Sequence, residues 1–163
     1  MTDTSTSTYE TLIALLHRHE ASYELIDHEP VGVTEVVSKL RGHPLAHAAK
    51  CMLLLVKLDR RTRKYVLAVI PGDRSVDLDA IKTLYGARYA GFCDPTTAEQ
   101  LAQAVPGSVL PFPMDPAVEL VADPAVLRQP SLYFNAARLD RSIALDADDY
   151  ARIARPRIYE IAK

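Results

Sequence analysis

Long apolar runs are missing from this 163-residue chain. The longest candidate, Cys51 to Val56, falls far short of the roughly 18 residues that span a bilayer, so no membrane partner is expected. Cysteine is scarce: Cys51 and Cys93 form no CxxC pair and have no His pair nearby at metal-ligand spacing, so neither zinc nor any other cofactor is expected. Each lies among apolar neighbours and reads as a buried free thiol. Several sequence signatures are absent as well: the phosphate loop GxxxxGK(S/T), the dinucleotide loop GxGxxG, the nucleophile elbow GxSxG and the zinc helix HExxH. Nor does charge of one sign dominate. With 19 Lys and Arg against 21 Asp and Glu, the net charge of −2 argues against a protein that coats nucleic acid nonspecifically, and no DNA partner is expected. The opening stretch, Met1 to Thr8, has neither the basic nor the apolar part of a secretory leader, which makes the cytoplasm the expected compartment.

What remains is the composition of an ordinary globular protein, 48% hydrophobic and 25% charged. The length suits one domain, expected over residues 9–163 behind a flexible tail of residues 1–8. Apolar spacing predicts a helix over Tyr9 to His19, and alternation predicts a strand over Tyr23 to His28. Thr34 is expected to cap a helix through Leu40, with one further helical turn at Leu45 to Ala49. Cys51 to Leu58 and Lys64 to Ile70 read as a hairpin of central strands, covered on both faces. A helix over Asp77 to Tyr85, closed by Gly86, precedes a short strand at Arg88 to Phe92. Thr96 or Thr97 is expected to cap the next helix, running to about Ala104. Strands at Val118 to Val121, Leu132 to Asn135 and Ser142 to Leu145 follow, with a short helix near Pro124 to Arg128. A last helix starts near Ala147 and is expected to be interrupted by Pro156. Strands mixed with helices and joined by hairpins indicate an α+β domain.

Three features bear on chemistry. Lys50 enters the most apolar strand, where either its ammonium meets an anion or carbonyl groups, or its stem snorkels to water. Gly107 and Pro111, behind Pro106, form either an ordinary turn or a stiff loop that aims N–H groups at an oxyanion. Asn135 ends a strand before two alanines, which makes it either a turn residue or the wall of a ligand pocket. His28 closes its strand as a lone histidine. Basic residues cluster twice, at Lys57 to Lys64 (with Arg60, Arg61, Arg63 and Lys64) and at Arg152 to Lys163 (with Arg152 and Arg155), on an otherwise acidic chain. These are either solvated tips or local contacts to a phosphate backbone.

In order, AHAAKCMLLLV, KYVLAVIPGD, VDLDAIKTLYG, GSVLPF and YFNAARLDRSIAL resemble the YbaK and prolyl-tRNA-synthetase-associated editing domains, across roughly residues 9 to 155. The resemblance implies a mixed, partly barrel-like β-sheet surrounded by helices, with the aminoacylated 3′ end of a mischarged tRNA in a cleft. It carries the family's lysine to Lys50 and the GxxxP loop to Gly107, Ser108 and Pro111 as catalytic residues. Side-chain recognition falls to His28, Thr34, Val109, Asn135, Ala136 and Ser142, and tRNA contact to the two basic clusters. The stretches RGHPLAHAAKC and FNAARLDRS are similar to the free-standing ProXp-type branch associated with serine and threonine. Deacylation of cysteinyl- or alanyl-tRNAPro is the alternative, and a non-catalytic module that binds aminoacyl-tRNA or a synthetase is the alternative of another class. The alternative to direct tRNA contact is recognition delegated to a synthetase or an elongation factor as a further partner. The ester of such a substrate is already activated, so attack by water is expected, without a covalent nucleophile from the protein.

Overall fold

The computed structural model describes residues 7–163. Its frame is the expected hairpin. Strands β2 (Ala49–Lys57) and β3 (Arg63–Pro71) pair antiparallel over their whole length, from Ala49 opposite Pro71 to Lys57 opposite Arg63. Asp59 closes the tip, its carboxylate accepting from the Arg61 and Thr62 N–H groups at 2.8 Å each. Side chains alternate across a strand. Leu53, Leu67 and Val69 therefore enter one apolar core, while Leu54, Val56, Val66, Ala68 and Ile70 enter another on the opposite face. Two cores explain the unbroken apolar runs, since each fully buried aliphatic side chain contributes about 2 kcal/mol.

The sheet grows outward on both sides. Strand β4 (Tyr89–Phe92) joins β2 antiparallel, and β5 (Val118–Ala122) lies parallel to β3, with β8 (Arg157–Ile158) beyond it. A second sheet has the order β1 (Tyr23–Asp27), β7 (Arg141–Asp146), β6 (Ser131–Asn135), all antiparallel. The α+β class is as expected, and the partly barrel-like character takes the form of two sheets linked by an isolated bridge between Ala48 and Tyr133. Helices α1 (Thr8–Arg18), α4 (Pro95–Ala102) and α5 (Ala147–Ala154) pack on the first core, and α3 (Leu78–Tyr85) on the second. Helix α2 (Thr34–Arg41) and a 3-10 turn at Leu45–His47 lead into β2.

Several boundaries differ from expectation for local reasons. Of the tail, residues 1–6 lie outside the described part, but Ser7 and Thr8 belong to the helix, where the Ser7 hydroxyl caps the Glu10 N–H. Thr34 is not a cap: Val33 takes that position without a side-chain bond. Asp94 caps α4 in place of Thr96 or Thr97, accepting from the Thr97 N–H with Pro95 in the first helical position. That helix stops at Ala102 because Gln103 turns left-handed, with φ of 53°. Pro156 does not interrupt α5, which has already ended at Ala154, with Arg155 at φ 48° before β8 begins.

Candidate active site

Strand β4 covers β2 only from Leu54 onward, so Ala49 to Met52 have a sheet partner on one side alone. The Leu53 carbonyl accepts from Cys93 N–H at 3.0 Å on the β4 side. By the alternation of an antiparallel ladder, the Cys51 N–H and C=O point to that same, here open, edge. A cleft of about 230 Å³ fills it, walled by α2 (Thr34, Val37, Arg41), by Gly32, Gly107 and Val109, and by the end of β6 at Phe134 and Asn135. Lys50 and Arg41 line this cleft and, among the described residues, no carboxylate does. Neither cation has a carboxylate within 4.0 Å among the described residues.

The loop at Gly107 is held from behind. Gly107 has φ of +86°, and a Cβ there would lie 2.6 Å from the Gly32 Cα, so two glycines meet back to back. Asn135 fastens both loops: its Nδ2 donates to the Val31 and Gly107 carbonyls at 2.9 Å each. Ser108 faces inward, fully buried, and both its N–H and its hydroxyl donate to the Val105 carbonyl. Pro111 is buried as well, and its carbonyl accepts from the Tyr150 hydroxyl at 2.7 Å. By contrast, the Gly107 and Val109 amides meet no acceptor among the described residues. These two N–H groups, rather than that of Ser108, are free to bind an oxyanion.

Behind the cleft lies a polar chain. The Ser142 hydroxyl donates to Asn135 Oδ1 at 2.8 Å, stands 2.6 Å from His28 Nε2, and accepts from Arg41 Nη1 at 3.1 Å. Arg41 Nε donates to His43 Nε2 at 2.9 Å, and His43 Nδ1 donates to the Pro44 carbonyl at 2.7 Å. That pattern requires the neutral imidazole, which also stacks on Tyr133 at 3.9 Å. In agreement, burial lowers the His43 pKa below its ordinary value, aided by the Arg41 and His47 charges and opposed by the Pro44 bond. Burial also pulls Arg41 down to about 10, which leaves it cationic at neutral pH.

The expected residues thus separate into three groups. Lys50, Thr34, Gly107, Val109 and Asn135 line the cleft. His28 and Ser142 stand in the polar chain behind it, while Ser108, Pro111 and Ala136 are buried in the frame, the last donating its N–H to Arg141 O. The basic clusters lie outside the cleft lining. At the hairpin Arg60, Arg61 and Arg63 are exposed, while Lys64 pairs with Glu119 at 3.3 Å. Arg152 is engaged by Asp149 and by the His19 carbonyl, and Arg155 is exposed at the end of α5. Sequence reasoning missed Arg41 and Gly32. The signal for Arg41 was present: it follows an amphipathic helix turn by turn with Thr34 and Val37, on the side facing Lys50. Cys51 and Cys93 are free, but only half-buried. Both border an apolar second cleft of about 320 Å³ that shares Cys51, Met52, Gly107 and Val109 with the first. Burial pushes both thiols up, which disfavours a nucleophilic role.

The family described as aminoacyl-tRNA editing domain matches residues 28–153. A multifunctional Ser/Thr-tRNA deacylase, ProXp-y, of Escherichia coli (strain K12) is 36% identical over 152 residues, which cover 93% of this chain and 90% of that one. A prolyl-tRNA editing protein, ProX, of Acetoanaerobium sticklandii is 25% identical over 103 residues, covering 63% of this chain and 61% of its own. Among solved structures, a hypothetical protein superposes with a TM-score of 0.84 at 17% identity, covering 94% of this chain and 100% of that one. A candidate trans-editing enzyme for prolyl-tRNA synthetase superposes with a TM-score of 0.78 at 11% identity, covering 98% and 99%. At these identities the two structures speak for the fold.

Proposed function

The chain belongs to the aminoacyl-tRNA editing domain family, and from that premise we propose that it hydrolyses mischarged tRNA carrying serine or threonine. One observation carries the reading: a cleft at an open strand edge, lined by two cations without a carboxylate partner among the described residues and by Gly107 and Val109, whose amides bond no described acceptor. The substrate is an ester between an amino acid and the 3′-terminal ribose. Water adds to its carbonyl carbon, the bond to the ribose oxygen breaks, and that oxygen leaves with a proton. Negative charge develops on the carbonyl oxygen, where the Gly107 and Val109 amides can meet it. A single preorganised donor of this kind contributes about 3–4 kcal/mol in hydrolases.

Lys50 serves as a point charge for the terminal phosphate or the carbonyl, and Arg41 adds a second, geometrically fixed charge. Neither acts as a nucleophile, and no carboxylate among the described residues lining the cleft offers a general base. Proton transfer is therefore assisted by the ribose hydroxyl or by the substrate's own side chain. Selection of a hydroxylated amino acid is supported by Thr34, which lines the cleft and whose hydroxyl bonds no other described residue, and by the remaining acceptor capacity of Asn135 Oδ1. A site that bonds a hydroxyl rejects analogues lacking it far more strongly than an apolar pocket rejects a methylene.

A deacylation panel tests this directly. Seryl- and threonyl-tRNA are expected to be cleaved faster than cysteinyl- and alanyl-tRNAPro. Preferential turnover of the last two would move the specificity, and binding without turnover of any would overturn the enzymatic reading. Lys50→Ala should lose most of kcat/KM while keeping the wild-type melting temperature.

A further inference from the structure

Beyond the second cleft, the sheet face that bears Cys51 and Leu53 continues outward along β4. Tyr89 lies opposite Lys57 on this face and Gly91 opposite Leu55, with Cys93 bonded to Leu53 at the cleft end. The Tyr89 ring folds back along its own strand onto Gly91, where any Cβ would collide with the phenol. Its other side carries Lys57, whose Nζ is 5.2 Å from the ring centroid. Tyr89 remains 47% exposed, and Phe92, at the cleft end of the same edge strand, 53%. Past Tyr89 a hollow opens between Lys57, Asp59, Arg60, Arg88 and the ring. None of Lys57, Arg60 and Arg88 has a carboxylate within 4.0 Å among the described residues, whereas Lys64 on the opposite face is paired.

A lone exposed tyrosine on an edge strand would mean little. Here a glycine makes room for the phenol end of the ring, and Lys57 lies over the ring. The ring is bordered by three cations against one carboxylate, Asp59, which already accepts from the Arg61 and Thr62 amides, and a flat aromatic with such a net positive border suits a nucleobase and its phosphates. Lys57 can surrender the ring to a base and follow the phosphate, because its stem is flexible and its charge compact. From Lys50 to Lys57 the strand runs about 24 Å at ~3.4 Å per residue. That is too far for the terminal nucleotide and within reach of those preceding it.

We propose that the β4 edge and the tip of the β2–β3 hairpin form a track for the single-stranded RNA leading to the aminoacylated 3′ end, with a base stacked on Tyr89 and phosphates at Lys57, Arg60 and Arg88. The proposal rests on the deacylase reading for its ligand, but its test does not need turnover. Affinity for uncharged tRNA is measured by fluorescence anisotropy across a salt series for the wild type, Tyr89→Ala, Tyr89→Phe and the double variant Lys57→Ala/Arg60→Ala. Tyr89→Ala should bind about tenfold more weakly, with Tyr89→Phe close to wild type. The double variant should lower the slope of log affinity against log salt by about 1.4, as expected for two contacts to a single strand. Hydrolysis of seryl-adenosine, which lacks the rest of the RNA, should be the same in all four proteins. Wild-type affinity and salt slope in both alanine variants would overturn the track. Altered binding with no wild-type hydrolysis of seryl-tRNA would leave the track standing and remove the deacylase reading.

Discussion

Arg41 and His43 make one unit: the guanidinium needs an acceptor at His43 Nε2, and a proton there would take the acceptor away. The folded pKa of His43 lies below the ordinary 6.5. Above pH 6.5 the ring is neutral in both folded and unfolded chains, and its contribution to stability is complete. As pH falls below that value the unfolded chain takes the proton first, so stability declines until the folded ring is protonated too. The depressed carboxylates Asp94 and Asp149 act in the same direction, but only below 3.8. The melting temperature should therefore fall between pH 6.5 and 5, and His43→Gln, which keeps an acceptor for Arg41 but does not titrate, should flatten that slope. An unchanged slope would remove His43 from the account. Asn135 invites a sharper substitution. Its Nδ2 donates to two carbonyls, so Asn135→Asp, equal in size but unable to donate, should cost about 3 kcal/mol and most of the activity, as much as Asn135→Ala. A chemical denaturation series measures the first and the deacylation assay the second. If the aspartate variant instead approached wild type, Asn135 would be a recognition group and not the clamp on Gly107.

At the scale of elements, what the sequence revealed follows the range of the forces involved. The β2–β3 hairpin was legible because both of its strands are buried on two faces and so read as unbroken apolar runs. Helix α3 was legible from Asp77 and Gly86, which cap it by contacts within a few residues. The cap of α4 was displaced to Asp94 because a carboxylate beside Pro95 competes better for the free amides than either threonine. Lys50 and Gly107 could be placed from a family-like order of segments, but their geometry could not. The bonds that shape the cleft join Asn135 to Val31 and Ser142 to Arg41, partners 104 and 101 residues apart, and no local pattern encodes such pairs. The C-terminal segment had no sequence signal either. It is held by Asp123, whose carboxylate accepts from the N–H groups of Ile161 and Ala162 and also caps the turn at Ala125. Asp123→Ala should leave these amides unpaired, cost about 3 kcal/mol and lower the melting temperature by roughly 6–12 °C. An intact melting temperature would mean that Ile161 is held by its apolar contacts alone.

Across the whole molecule, the two sheets meet at few backbone positions, and the cleft opens where they join. The Ala48 to Tyr133 bridge and the bond from Gly72 N–H to Ala48 O fix the approach of β2 to the second sheet. Arg41 and His43 reach that sheet from α2 and the turn after it, so the cleft is shaped by the meeting of the sheets and not by either alone. This also accounts for the free edge of β2. A longer β4 would pair with Ala49 to Met52 and close the site.

The pairing of β1 with β7, Tyr23 opposite Leu145, has a consequence for synthesis. Contacts between chain positions so far apart form late, since loop closure must precede any gain from them. Lys50 and Arg41 leave the ribosome well before Asn135 and Ser142, which set the Gly107 loop and hold Arg41. A nascent chain is surrounded by correctly charged tRNA. On this topology it carries no assembled cleft with which to hydrolyse that tRNA until Ser142 has emerged.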